Sequence, residues 1–159
     1  MADGGSGTSA SSSPTAVEDA ALQEALAATH AAVWGYGVVG AALPGAARDP
    51  ARADEQAHRD LRDQLAGLLT ARQVDPVAAQ AAYALPFPVL SAVDAAALAV
   101  TLEEGTSTAW TWVLDQATER STRELGVTAL SAAEQRAVGW RAAAGRTPVT
   151  SAFPGLPDE

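Results

Sequence analysis

The chain contains no cysteine, so disulfides, cysteine-ligated zinc and thiol nucleophiles are excluded. Lysine is absent as well: all ten basic residues are arginine, which reads as the codon bias of a GC-rich genome. Positive charge is scarce, with 10 basic against 19 acidic residues and a net charge of -9. Such a surface repels nucleic acid and anionic membranes, so neither is expected as a partner. Aromatic residues are only 5% of the chain while apolar residues are 48%, much of that alanine. This balance favours closely packed helices over a β-sandwich. Also missing is a long hydrophobic run. The longest small and apolar stretch, residues 31–45, is interrupted by Gly35, Gly37 and Gly40 and falls short of the roughly 20 residues a membrane span needs. Residues 1–16 are rich in Gly, Ser and Thr and have neither an apolar run nor the pattern of a signal peptide. They are expected to be a disordered tail on a cytoplasmic protein.

What is present is helical periodicity. A length of 159 residues suits one domain, and four amphipathic stretches account for most of residues 17–145. The most informative runs from Asp49 to Arg72. It places Leu61, Leu65, Leu68 and Leu69 on one face, with Asp54 and His58 in the same stripe and Glu55 at its flank. Glu55 and His58 also have the Glu-x-x-His spacing that presents two ligands to one metal in helical bundles. The preceding helix, Val17 to about Leu43, carries Leu22, Leu26, Val33, Gly37 and Gly40 inward. Its glycines are expected to admit a close neighbour, Thr29 and His30 face inward or nearly so, and Glu24 points away. Pro44-Gly45 makes these two helices antiparallel neighbours, bringing His30 and His58 to a similar level.

Residues 73–90 carry Pro76, Pro86 and Pro88. A connection of this length can cross the whole bundle and make the second and third helices parallel. The third helix, from Ser91 to about Ala117, buries Leu98, Leu102, Trp110 and Val113 and sets Glu103 at the edge of its apolar face. The fourth could start at Ser121 or Ser131, each opening a capping-box pattern. A single helix from Ser121 to Ala144 keeps Leu125, Ala129, Ala133, Ala137 and Trp140 on one face and is preferred, with Glu134 as a cap or outer residue. Residues 146–159 read as an extended tail over the bundle.

Four stretches, taken in order, resemble a ferritin-like domain family of unknown function found in actinobacteria: residues 34–40, 82–88, 102–105 and 152–157. The resemblance implies an all-α, ferritin-like four-helix bundle with one long crossover between helices 2 and 3, acting as a homodimer. It implies no established activity. Against the broader di-iron pattern, helix one lacks an inward carboxylate, and Glu134 is followed three residues later by Ala137 instead of His.

Two functional expectations follow. The favoured one is a non-catalytic, dimeric binding or structural module with an incomplete di-iron site, because a di-iron centre needs several buried carboxylates and only Asp54, Glu55 and Glu103 are candidates. The alternative is an iron or manganese oxidoreductase with an atypical site of His58, Glu55, His30 and Glu103. Each residue also has a plainer reading. The histidines can be hydrogen-bonded packing residues, Glu55 a helix-start residue favoured by the dipole, and Glu103 a solvated edge. The four tryptophans suit core and interface packing. No serine nucleophile motif accompanies either histidine, which disfavours a hydrolase. A small-molecule ligand is not identified by the sequence.

Overall fold

The computed structural model describes residues 13–156, and the regular structure among them is entirely helical. Helix α1 (Pro14–Ala42) opens with Ser13, whose side chain accepts from the Ala16 amide, and with Pro14 at the first helical position. A proline there costs nothing, because that N–H has no intrahelical acceptor. The helix therefore begins inside the stretch read as a tail. Residues 1–12 of that tail lie outside the described residues. A 3-10 turn at Gly45–Ala47 leads into α2 (Arg48–Ala71). Helix α3 (Ala92–Gln116) starts with a reciprocal cap: Ser91 Oγ accepts from the Asp94 amide at 3.1 Å, and Asp94 accepts from the Leu90 amide at 3.1 Å. Helix α4 (Arg120–Ala143) is one unbroken element. Its capping-box candidate at residues 121–124 is not used, because the helix already begins at Arg120 after Glu119, which leaves Ser121 inside the first turn and Glu124 accepting from Arg120.

Two sets of contacts orient the helices. At one end, Arg72 after α2 meets Glu18 and Asp19 at the start of α1, and Glu18 accepts from Thr122 at the start of α4. At the other end, Tyr36, Val39, Ala51, Ala95, Ala96, Leu98 and Trp140 share a core cluster. Hence α2 runs parallel to α3, and α1 to α4. The connection at residues 72–91 travels the length of the bundle. It is held by the Gln23 side chain, which donates to the Asp75 carbonyl at 2.6 Å and accepts from the Val77 amide at 2.8 Å. Trp34 also packs on Tyr83, with ring centroids 5.8 Å apart.

Helix α1 packs on α2 and α3, and α3 packs on α4, but the α2 and α4 backbones stay apart. A second apolar cluster, with Leu22, Leu26, Leu65, Leu69, Trp110 and Val113, fills the end near Glu18. Each buried leucine contributes about 2 kcal/mol by transfer. The close α1–α3 approach is made by Gly35, where a Cβ would lie 2.7 Å from the Leu102 methyls. Gly37 and Gly40, expected to serve that purpose, face open space. By length and composition α1 could cross a membrane; here Ala21, Leu22, Ala25, Leu26 and Val39 are spent on the core.

The chain after α4 turns back over α3 and α4. Arg141 Nη1 donates to the Val149 carbonyl at 3.2 Å, and Thr111 donates to Pro154 O at 3.3 Å. Gly155 sits at φ +77° where a Cβ would lie 2.0 Å from Thr111 Oγ1, so no larger residue fits without moving the tail.

Candidate functional site

Between the two apolar clusters every helix contributes one polar side chain to a common point. Glu103 of α3 is fully buried. Its Oε1 accepts from the Tyr36 hydroxyl of α1 at 2.5 Å, from His58 Nε2 of α2 at 2.9 Å and from Arg136 Nε of α4 at 3.0 Å. An ionised carboxylate only accepts. The imidazole must therefore carry a proton on Nε2. Tyr36 and His58 are also buried, while the Arg136 side chain is 16% exposed. The Tyr36 ring stacks on His58 with centroids 5.5 Å apart and lies 6.1 Å from that of Trp140. Trp140 Nε1 in turn donates to Asp54 Oδ2 at 2.8 Å. Two buried atoms of this knot, His58 Nδ1 and Glu103 Oε2, have no hydrogen-bond partner.

The local electrostatics follow from these contacts. Burial pushes the Glu103 carboxyl up, but the His58 hydrogen bond and the Arg136 guanidinium outweigh it and hold Glu103 below the usual carboxylate range. Burial, reinforced by the Glu103 charge, drives the Tyr36 phenol far above its ordinary value, so it stays a neutral donor. Burial also raises the half-buried Asp54; Trp140 opposes that rise and Glu103 adds to it. Burial disfavours the Arg136 cation, yet the Glu103 hydrogen bond and charge raise its pKa overall.

The four residues expected to share a metal are only partly brought together. His58 and Glu103 meet directly. Glu55 instead takes both Nε and Nη2 of Arg59, one turn along α2. His30 is bonded through Nε2 to the Val77 carbonyl of the crossover at 3.1 Å, on the outer side of α1. Among the described residues no group of three or more His, Cys, Asp or Glu side chains is placed to hold a metal ion. Glu103, expected at a face edge, is central. Arg136 and Tyr36 were not anticipated as site residues. Arg136 lies four residues before Trp140 and three after Ala133, on the inward phase of α4, and that spacing was the available signal.

Helix one does carry an inward carboxylate, though far from this knot. Glu18 is fully buried and accepts from the Thr118 hydroxyl and amide, the Glu119 amide and the Thr122 hydroxyl, with Arg72 at 3.3 Å. Burial favours its neutral form, but these donors win and bring its pKa to about 2. Glu134 is likewise no simple outer residue. It accepts from Ser107 at 2.7 Å and from Arg141 at 3.2 Å, tying α3, α4 and the tail.

Comparison with known proteins gives a family but no activity. No curated protein matches. A solved structure, a conserved hypothetical protein from Mycobacterium tuberculosis, is similar at TM-score 0.77 and 38% identity, covering 79% of this chain and 96% of that one. The model of the family described as a domain of unknown function (DUF4439) matches residues 21–158, from the first turns of α1 through the tail that Gly155 seats, and the chain belongs to that family.

Proposed function

We propose that this chain is a ferritin-like bundle in which the guanidinium of Arg136 stands where such bundles hold a metal, and that it acts as a non-catalytic binding or structural module. The carrying observation is that all three donors on Glu103 Oε1 come from the protein itself, one of them a permanent cation. The long crossover and the parallel α2 and α3 support the ferritin-like assignment.

The donor set does not fit a di-iron or di-manganese group. Such a group needs several carboxylates around two cations. At this centre His58 and Glu103 meet, Asp54 is tied to Trp140, Glu55 and His30 lie elsewhere, and Glu103 Oε1 already has the Arg136 cation as its partner. An iron or manganese oxidoreductase is therefore the weaker reading. The test is elemental analysis of protein purified without a histidine tag from iron- and manganese-supplemented cells, beside His58→Ala. Metal well below stoichiometric in both is the expected result. Near-stoichiometric metal that disappears in the variant would overturn the reading.

Self-association as a homodimer rests on the family resemblance, with the nearly half-exposed Trp112 of α3 as a supporting apolar contact. Sedimentation at micromolar concentration should give twice the chain mass of 16.1 kDa; a monomer would remove dimerisation.

A further inference from the structure

The side of the bundle where α2 and α4 stand apart holds a groove of about 290 Å³, whose lining includes Pro50, Asp54, Gln135, Arg136, Gly139 and Trp140. That volume is near the lower end for small-molecule pockets. Its walls are unequal in charge compensation. Arg136 has its cation neutralised by Glu103 at 3.0 Å. Asp54 takes part in no ion pair among the described residues and has one hydrogen-bond donor, the neutral indole N–H of Trp140. A half-buried carboxylate so placed lacks the directly paired cation that buried charges normally acquire, since Arg136 and His58 act on it only through space. The same Trp140 offers an aromatic surface of the kind that attracts organic cations. Space for an alkyl group exists beside it, since a Cβ added at Gly139 would meet nothing within 4 Å.

We propose that the α2–α4 groove binds a small organic amine, its ammonium group paired with Asp54 and its alkyl chain lying along Trp140, Pro50 and Gly139. This deepens the reading of the chain as a binding module and rests on it. A carboxylate ligand is disfavoured because it would meet the like charge of Asp54, which has no direct ion-pair partner among the described residues. A neutral alcohol brings no charge to pair with Asp54.

The experiment is an NMR titration of the ¹⁵N-labelled full chain, following the Trp140 indole N–H, assigned with Trp140→Phe. The probe is n-butylammonium, with butyrate and n-butanol as controls. Expected is a saturable shift with butylammonium at millimolar concentration or below, weakened at least about tenfold in Asp54→Asn. In Gly139→Leu the groove is filled; that variant keeps its helical circular dichroism and loses the shift. Three results would overturn the proposal: no saturable shift up to about 10 mM, equal binding of butyrate or butanol, or unchanged binding in Asp54→Asn. The metal content of the same preparation is measured separately, so metal-free protein that ignores the amine refutes the amine site and leaves the bundle reading intact.

Discussion

Replacing Arg136 with methionine removes the cation at the bundle centre while keeping an unbranched side chain of similar reach. Glu103 would remain fully buried with two neutral donors, Tyr36 and His58. Removing one partner of a buried pair costs about 3–5 kcal/mol, and the two surviving donors place this case near the lower figure, about 3 kcal/mol at pH 7. In a chain of this size that lowers Tm by roughly 6–12 °C. Glu103→Gln should cost less, about 2 kcal/mol, because the stranded guanidinium is 16% exposed and reaches solvent through the groove. The double variant loses both charges together, so its destabilisation should fall short of the sum by about 2 kcal/mol. Urea denaturation of the four proteins at pH 7 supplies the cycle. With Arg136 gone, burial dominates Glu103 and favours its neutral form, so the Arg136→Met penalty should shrink at pH 5. Additivity within about 0.5 kcal/mol, or a penalty that grows on acidification, would refute the ion pair as the organising contact.

Glu18 has its folded pKa depressed from 4.5 to about 2. Its contribution is therefore complete above the unfolded value and lost as pH falls toward 2. Unscreened, that shift is about 3 kcal/mol; with solvent near this end of the bundle roughly 1–2 kcal/mol is expected. Stability measured from pH 6 to pH 2 should fall by that much more in the natural chain than in Glu18→Gln, and parallel curves would count against it. Tyr36→Phe removes one of three donors to Glu103 and should cost about 1–2 kcal/mol in chemical denaturation, whereas a neutral result would mean that the phenol hydrogen bond is not formed. Gly155→Ala should unseat the tail by steric conflict with Thr111 and Ser107. Proteolysis after Arg146 should accelerate while the bundle loses less than about 1 kcal/mol, since the tail carries few core contacts; unchanged cleavage would contradict that placement.

Much of the architecture could be read from local pattern. Four periodic stretches, the Ser91 and Pro44 boundaries and the proline-bearing crossover are properties of neighbouring residues, and a backbone that must close its own hydrogen bonds follows them. The inward phase of His58 and the outward phase of Glu24 come from the same count, because helix geometry alone sets them. Which inward side chains meet is a different matter. Glu103 found Tyr36, His58 and Arg136 across sequence separations of 67, 45 and 33 residues, and no periodicity encodes the relative level of four helices. His30 looked equivalent to His58 by phase, yet the crossover reached it first and took its Nε2. Glu55 had the spacing of a ligand but found Arg59 one turn away. Helix content, helix order and the acidic surface were thus determined by the sequence itself, through short-range sterics and hydrogen bonding. The cation at the centre, the buried Glu18 and the open α2–α4 side were decided only by tertiary packing, since each depends on helices that are distant in the chain settling at one particular height and separation.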